Sequence, residues 1–383
     1  MWPRTIALAA VWLATRAIAL VSVDMTPWML HDLEVYTGWI PGLRDTQFPV
    51  GDVTWQYPPG AALVFLTASA IPIDFRWAFT LVILALDAAL MATLLIAMAR
   101  QRGTSSRGPW LWALAGVVVG PIMLTRFDVA PTLFAVVAVV LVGRPKVSGA
   151  ASAVGAMVKV WPALMLLSLP RKGLRSGLVS FVIVAVALAL AFVVVFDDSL
   201  SFLANQRDRG LQVESTGALP YLLFSLVGGH VESGLTYGSI QVLMRGAETV
   251  GTVVTVLGFL LIAAIAWWRL RGRLEDVPAG DIALTVMLVS VATSRVYSPQ
   301  FNTWLIGLAA AALLTASTRL TSVGLIVITV SLLTQIVYPW SATQLVNGGT
   351  FVIIVQSLRI VLLLIATVLA IVTIAPRTNE RQA

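Results

Sequence analysis

Ten runs of apolar residues, 14 to 25 long, take up most of this chain and leave few folds open to it. They fall at 5–23, 77–99, 108–124, 129–143, 178–196, 249–268, 281–294, 303–317, 322–338 and 351–375. A bilayer core takes about 20 apolar residues per helical crossing, so these runs read as helices dissolved in lipid. Composition agrees. Hydrophobic residues make up 58% of the 383, and charged residues only 11%, against about 25% charged in soluble domains. Mean hydropathy is +0.92.

Two further apolar stretches are harder to place. The one at 60–73 is short for a crossing. The one at 147–170 is interrupted at Lys159-Val160-Trp161-Pro162, where proline removes a helix donor. The expected fold is therefore an all-α polytopic membrane protein, one integral membrane domain over 1–383. It has about ten full transmembrane helices and two short or re-entrant segments. Arg4 ahead of the first run imitates a secretory signal, but no small-residue cleavage site follows, and the run reads as a retained first helix.

A pI near 10.2 and a net charge of +7 would point to nucleic acid in a soluble protein. In this chain they read as cytoplasmic-loop arginines obeying the positive-inside rule, with no nucleic-acid partner. With the N-terminus inside and both awkward stretches entering and leaving on one face, the basic clusters at 100–107, 144–146, 171–175, 269–273, 319 and 377–381 all lie inside. Cysteine is absent and there are two histidines, so thiolate sites are excluded and a histidine-built zinc or haem site is disfavoured.

The same orientation gathers the polar segments on the other, outer face. The loop at 24–59 carries Asp32, Glu34, Asp45 and Asp52 among Tyr36, Trp39, Trp55 and Tyr57. That is longer and more polar than a connection needs, and it reads as a catalytic loop. Arg126-Phe127-Asp128, Lys159, the loop at 197–248, Arg295 to Gln300 and Tyr338-Pro339-Trp340 join it. Charges at such depths usually face a cavity or a partner, so one outward cleft is expected. There a carboxylate would take a proton from a hydroxyl, cations would stabilise a phosphate leaving group, and aromatic faces would stack on sugars.

Each residue also has a plainer reading. Asp32 is equally suited to cap a helix over 33–39. Arg126 and Asp128 are spaced for a structural ion pair, and Lys159 for snorkelling to the interface. Loop Trp and Tyr serve interfacial belts, and the charged stretch around 205–215 would suit a solvated surface helix. Asp87, inside an apolar run, would pair with Arg16 or Arg359 for packing alone.

The ordered motifs narrow the choice. Asp32-Leu33-Glu34-Val35-Tyr36 followed by Trp55-Gln56-Tyr57-Pro58-Pro59-Gly60 resembles the first outer loop of polyprenol-phosphate-sugar glycosyltransferases of the C-type membrane fold. Arg126-Phe127-Asp128-Val129-Ala130-Pro131, Val158-Lys159-Val160-Trp161-Pro162, Arg209 to Ser215 and Tyr297-Ser298-Pro299-Gln300-Phe301 continue the pattern. The chain resembles glycosyltransferase family 87, which includes actinobacterial mannosyltransferases of phosphatidylinositol mannoside synthesis. Phe301 and Trp161 stand where the pattern usually carries other residues, and the Arg-Phe-Asp form differs from that of those mannosyltransferases.

The resemblance implies inverting transfer of a sugar, mannose first, from a polyprenyl-phosphate donor. The acceptor would be a glycolipid or cell-envelope glycan, on the extracytoplasmic face of a bacterial cytoplasmic membrane. Asp32 matches the catalytic base, with Glu34 the fallback. Lys159, Arg209 and Arg295 are candidates to hold the phosphate by charge and side, and Asp128 and Glu214 to orient the acceptor or the cations. Tyr36, Tyr57, Arg126, Gln212 and Gln300 complete the substrate-binding set. No metal or other cofactor is required. The competing readings are a transporter or flippase of lipid-linked sugar, and an inactive scaffold subunit of a cell-envelope complex. A transporter usually shows repeats and midplane polar groups, which this sequence does not.

Overall fold

The computed structural model describes residues 2–206, 210–236 and 238–376. Its helices, in chain order, are α1 (Trp2–Met25), α2 (His31–Arg44), α3 (Ala61–Ser69), α4 (Phe75–Arg100), α5 (Arg107–Val118), α6 (Ile122–Thr125), α7 (Val129–Val140), α8 (Pro145–Val158) and α9 (Arg171–Val195). They continue with α10 (Leu219–Leu226), α11 (Ala247–Leu270), α12 (Ala279–Ala292), α13 (Phe301–Leu314), α14 (Thr321–Gln335), α15 (Ala342–Val346) and α16 (Thr350–Ile374). Between α10 and α11 lies an antiparallel hairpin, β1 (Ser233–Thr236) and β2 (Ser239–Val242), with Ser233 opposite Val242. An all-α chain was expected. The hairpin escaped notice because a four-residue strand offers too short an alternation to read against apolar surroundings.

Every apolar run forms a helix, but the runs are not equivalent. Among the described residues six segments are long and apolar enough to cross a membrane: Thr5–Met25, Phe75–Arg100, Arg171–Val195, Ala247–Leu270, Thr321–Trp340 and Thr350–Ile374. The runs expected to give four more crossings form α5, α7, α12 and α13, of 12 or 14 residues. A helix of that length rises about 20 Å, against a hydrocarbon thickness of about 30 Å. These short helices are the interior ones. Every residue of α13 from Asn302 to Leu314 is buried, so protein rather than lipid sets its length. In contrast, α9 turns Leu178, Val182, Ile183, Val186, Leu190 and Val194 outward, an apolar surface that suits lipid and not water. The chain is a multi-pass membrane protein.

The break after α8 has a local cause. Pro162 cannot continue a helix, because its ring would strike the carbonyl of Val158, four residues back. The α-helix ends at Val158, Lys159 is extended, and the chain resumes as a 3₁₀ segment over Trp161–Ser168. Helices approach closely where glycine faces backbone. A Cβ on Gly149 of α8 would sit 2.0 Å from the Gly177 carbonyl oxygen of α9, and one on Gly116 of α5 would sit 2.4 Å from that of Thr15 in α1. Small residues at such crossings let dispersion act along the full contact.

One buried ion pair joins three helices on one side of the bundle. Arg16 of α1 donates to both carboxylate oxygens of Asp87 in α4, at 2.7 and 2.8 Å, and to the carbonyls of Trp112 and Ala113 in α5 at 3.0 and 2.7 Å. Of the two partners open to Asp87, Arg16 is the one it takes. Removing one member strands a buried charge, which typically costs about 3–5 kcal/mol. Asp87→Ala is therefore expected to lower the unfolding free energy in detergent by about that much. Combining Arg16→Met with Asp87→Leu should recover most of it. If the double variant proves no more stable than Asp87→Ala, the pair is more than a neutralised charge.

Candidate active site

Most of the polar segments that the charge pattern assigned to one face contribute to a cleft of about 350 Å³. One wall is the start of α2 and its approach, with Trp28, His31, Asp32, Val35, Tyr36 and Trp39. Gln212, Val213 and Glu214 also line the cleft, with the hairpin-region residues Leu235, Gly238, Ser239 and Ile240. Thr54, Gln56, Tyr57 and Arg126, and Val296, Ser298, Pro299, Gln300, Tyr338 and Leu345, complete the lining.

Asp32 is not a helix cap. The helix begins one residue earlier, with Leu30 in the cap position and no side-chain cap bond. Asp32 stands in the first turn, and its carboxylate forms an ion pair with the Arg126 guanidinium. Glu34 points elsewhere: it is 76% exposed, pairs with His31 at 3.2 Å and does not line the cleft. The two acids of the motif are thus sorted by helical phase, because residues two apart lie on different faces.

Arg126 does not pair with its neighbour Asp128, the plainer reading of that motif. Asp128 is 1% exposed and accepts at Oδ1 from Lys159 Nζ at 2.5 Å and Trp304 Nε1 at 2.6 Å. Lys159 also lies over the rings of Phe127, Trp304 and Tyr57, at 4.9, 5.0 and 5.5 Å from their centroids. Its ammonium is therefore enclosed by a carboxylate and aromatic faces, which together offset its desolvation. It does not snorkel to water, and it is not among the cleft-lining residues.

Glu214 is held from two sides. Arg359 donates to Oε1 at 3.2 Å and Gln212 to Oε2 at 2.9 Å. Burial pushes its carboxyl above the ordinary carboxylate range, and the charge and hydrogen bond of Arg359 offset part of that. Gln212 is itself fixed, since its Oε1 accepts from the Tyr297 backbone N–H at 2.8 Å and its N–H donates to the Arg295 carbonyl at 3.0 Å. The segment around Glu214 pairs with β2 through Val213 N–H to Ile240 O at 2.9 Å and Val242 N–H to Leu211 O at 2.8 Å. It packs on Val337, Leu345 and Val352. From 210 onward the loop is docked structure rather than a solvated surface helix.

Other expected residues fall at varying distances from the cleft. Tyr57 and Gln300 line it. Tyr36 does too, with its ring packed 4.6 Å from that of Phe65. Trp55 is fully buried against Trp39 and Phe48 and offers no sugar platform. Asp52 organises the loop, accepting from Trp39 Nε1 at 2.8 Å and from the Thr54 N–H and hydroxyl at 2.8 and 2.5 Å. Arg295 directs its guanidinium to Thr252 of α11 at 2.7 Å and is not among the cleft-lining residues. Arg209 lies outside the described residues. No group of acids and histidines suited to a metal ion occurs among the described residues.

Sequence reasoning passed over Arg359 and Trp304 as members of this site. Arg359 is fully buried in α16, and an arginine inside an apolar run was the available signal. Trp304 carried none, because a tryptophan in an apolar helix is ordinary core.

Long apolar helices thus surround a cleft that brings acids, cations and aromatic side chains together. The chain belongs to glycosyltransferase family 87, whose model matches residues 55–299, well over half of its length. It is thus a membrane glycosyltransferase. The matched span takes in Tyr57, Arg126, Asp128, Lys159, Glu214 and Arg295; it begins beyond Asp32, Glu34 and Tyr36 and ends before Gln300. No curated protein and no solved structure matches the chain.

The shared acceptor Oδ1 predicts strong coupling between Asp128 and Lys159. A double-mutant cycle with Asp128→Asn and Lys159→Met, followed by thermal unfolding in detergent, should give an interaction of about 1–3 kcal/mol. Purely additive effects would show that the aromatic ring faces alone hold the ammonium.

Proposed function

We propose that this protein transfers a sugar, mannose in the first instance, from a polyprenyl-phosphate donor to a glycolipid or cell-envelope glycan. The reaction is placed on the extracytoplasmic face of a bacterial cytoplasmic membrane. The fold is read as the C-type membrane architecture with about ten crossings, in which the four short interior helices are completed by the irregular segments bordering the cleft. The observation that carries the reading is the juxtaposition of the Asp32 carboxylate and the Arg126 guanidinium in a cleft lined by both long polar loops.

The chemistry follows from those two groups. Asp32 takes the proton of an acceptor hydroxyl. The oxygen attacks the anomeric carbon from the face opposite the phosphate, a new glycosidic C–O bond forms, and the bond from that carbon to the phosphate oxygen breaks. Configuration inverts. The leaving phosphate gains charge as the bond breaks, and a buried guanidinium beside it stabilises that charge in two-point fashion. Arg126 fits this role better than Lys159 or Arg295, whose side chains are committed to Asp128 and Thr252. Glu214, Gln212 and Gln300 present acceptors and donors for acceptor hydroxyls, and Tyr57 and Trp39 supply aromatic faces. Asp128 acts on substrate only through Lys159 and Trp304.

The test is incubation of membranes containing the protein with radiolabelled polyprenyl-phosphate mannose, and separately arabinose, with analysis of the product lipids. Label is expected to pass to a lipid or glycan product. Asp32→Asn should lower that transfer by about 10²–10⁴-fold, the usual worth of a positioned general base, with expression and folding retained. A fully active Asp32→Asn enzyme would remove Asp32 from the reaction.

A further inference from the structure

Five ion pairs of the described residues include a buried cation: Arg16, Arg126, Lys159, Arg269 and Arg359. Four of the five carboxylates are locked. Asp87 is unexposed and takes two bonds from one guanidinium. Asp128 also accepts from Trp304, Glu214 from Gln212, and Glu275 from the Arg171 N–H. Asp32 is the exception. Its side chain is 33% exposed while that of Arg126 is 13% exposed, and among the described residues no second donor holds it.

We propose that Arg126 is an anion seat occupied in turn by the Asp32 carboxylate and by the phosphodiester of the donor, so that donor binding is an exchange of counter-ions. The identity of the anion rests on the donor reading above. A buried guanidinium left without an anion is costly, so the seat stays filled, and only a replacement anion lets Asp32 leave. Both occupants fit: a carboxylate and the two non-bridging oxygens of a phosphodiester each accept parallel bonds from the guanidinium fork. Among the described residues, displacing Asp32 breaks no other side-chain hydrogen bond or ion pair, and its partial exposure gives the incoming phosphate access.

The exchange also frees the base. Paired with Arg126, the Asp32 carboxylate is held by the guanidinium; once displaced by the donor, it is free to meet an acceptor hydroxyl. After transfer, Asp32 carries the acceptor's proton and is neutral, so it does not compete for Arg126. The departing prenyl phosphate keeps the seat until Asp32 loses that proton to solvent. The carboxylate then returns and expels it.

The test uses the full chain in detergent micelles with farnesyl phosphate, farnesol and inorganic phosphate as probes, followed by calorimetry and thermal unfolding. Removing the resident carboxylate should help an anion that must displace it. Asp32→Asn is therefore expected to bind farnesyl phosphate at least about tenfold more tightly than the unsubstituted protein, and to gain more unfolding temperature from it. Asp32→Ala should behave likewise, and provides the measurement if the asparagine variant does not fold. Asp24→Asn, which removes an acid paired with Arg76 in the same segment, controls for general loss of negative charge and should leave the affinity unchanged. Arg126→Gln should abolish the preference for farnesyl phosphate over farnesol.

Equal or weaker binding by folded Asp32 variants overturns the exchange. The donor reading then still stands, provided the unsubstituted protein prefers farnesyl phosphate to farnesol. An equal gain from Asp24→Asn also overturns the exchange. Absence of any preference for the phosphate in every form overturns both proposals. Binding of inorganic phosphate as tight as that of farnesyl phosphate supports the seat and assigns its selectivity to the anion alone.

Discussion

The buried carboxylate of Asp128 is the contact on which the geometry of the cleft turns. It stands at the start of α7 and binds Lys159, at the break after α8, and Trp304, inside α13. Three separate segments are therefore fixed by one acceptor oxygen, in surroundings where neither charge has water to fall back on. Because Lys159 satisfies Asp128, the arginine two residues earlier is left to find another anion. That anion is Asp32, from the first loop. Had Arg126 and Asp128 paired with each other, both Lys159 and the acid of the first loop would have lost their partners.

The remaining architecture follows a similar economy of charge. Arg16 with Asp87 neutralises a pair deep in the bundle, and Arg359 with Glu214 ties α16 to a loop that lines the cleft. The long helices face lipid with apolar side chains, whereas the short interior ones, α7, α12 and α13, need to satisfy only protein neighbours. A membrane enzyme needs irregular backbone somewhere to build a site, and such backbone is tolerated where protein or a water-filled cavity surrounds it. The extended residue Lys159 and the loop at 295–300 both lie next to such a cavity.

Much of this was legible in the order of residues. The positions of the helices followed from the apolar runs, and the break at Lys159 followed from Pro162. The convergence of most of the loop segments followed from the charge pattern. Other features were not legible. Which acid answers Arg126, and that Trp304 donates to Asp128, depend on the rotation and depth of helices far apart in sequence. The hairpin at 233–242 was hidden because its strands are four residues long. Arg295 was grouped with the cleft residues by the charge pattern, yet its rotamer carries the guanidinium to Thr252 of α11. Trp55 had the composition of a sugar platform and became core.

The sequence by itself determined that this chain lives in lipid, roughly where its apolar helices lie, and which polar segments were candidates for a common site. Those properties follow from transfer free energies and local backbone chemistry, which act residue by residue. The partnerships among the charges were decided by tertiary structure alone. At burial an ion pair is set by ångström-scale distance and by the donors left over, and the sequence lists candidates without ranking them. Asp32 and Glu34 are near-identical as letters two apart. In the folded protein one faces the buried guanidinium of Arg126 and the other faces outward.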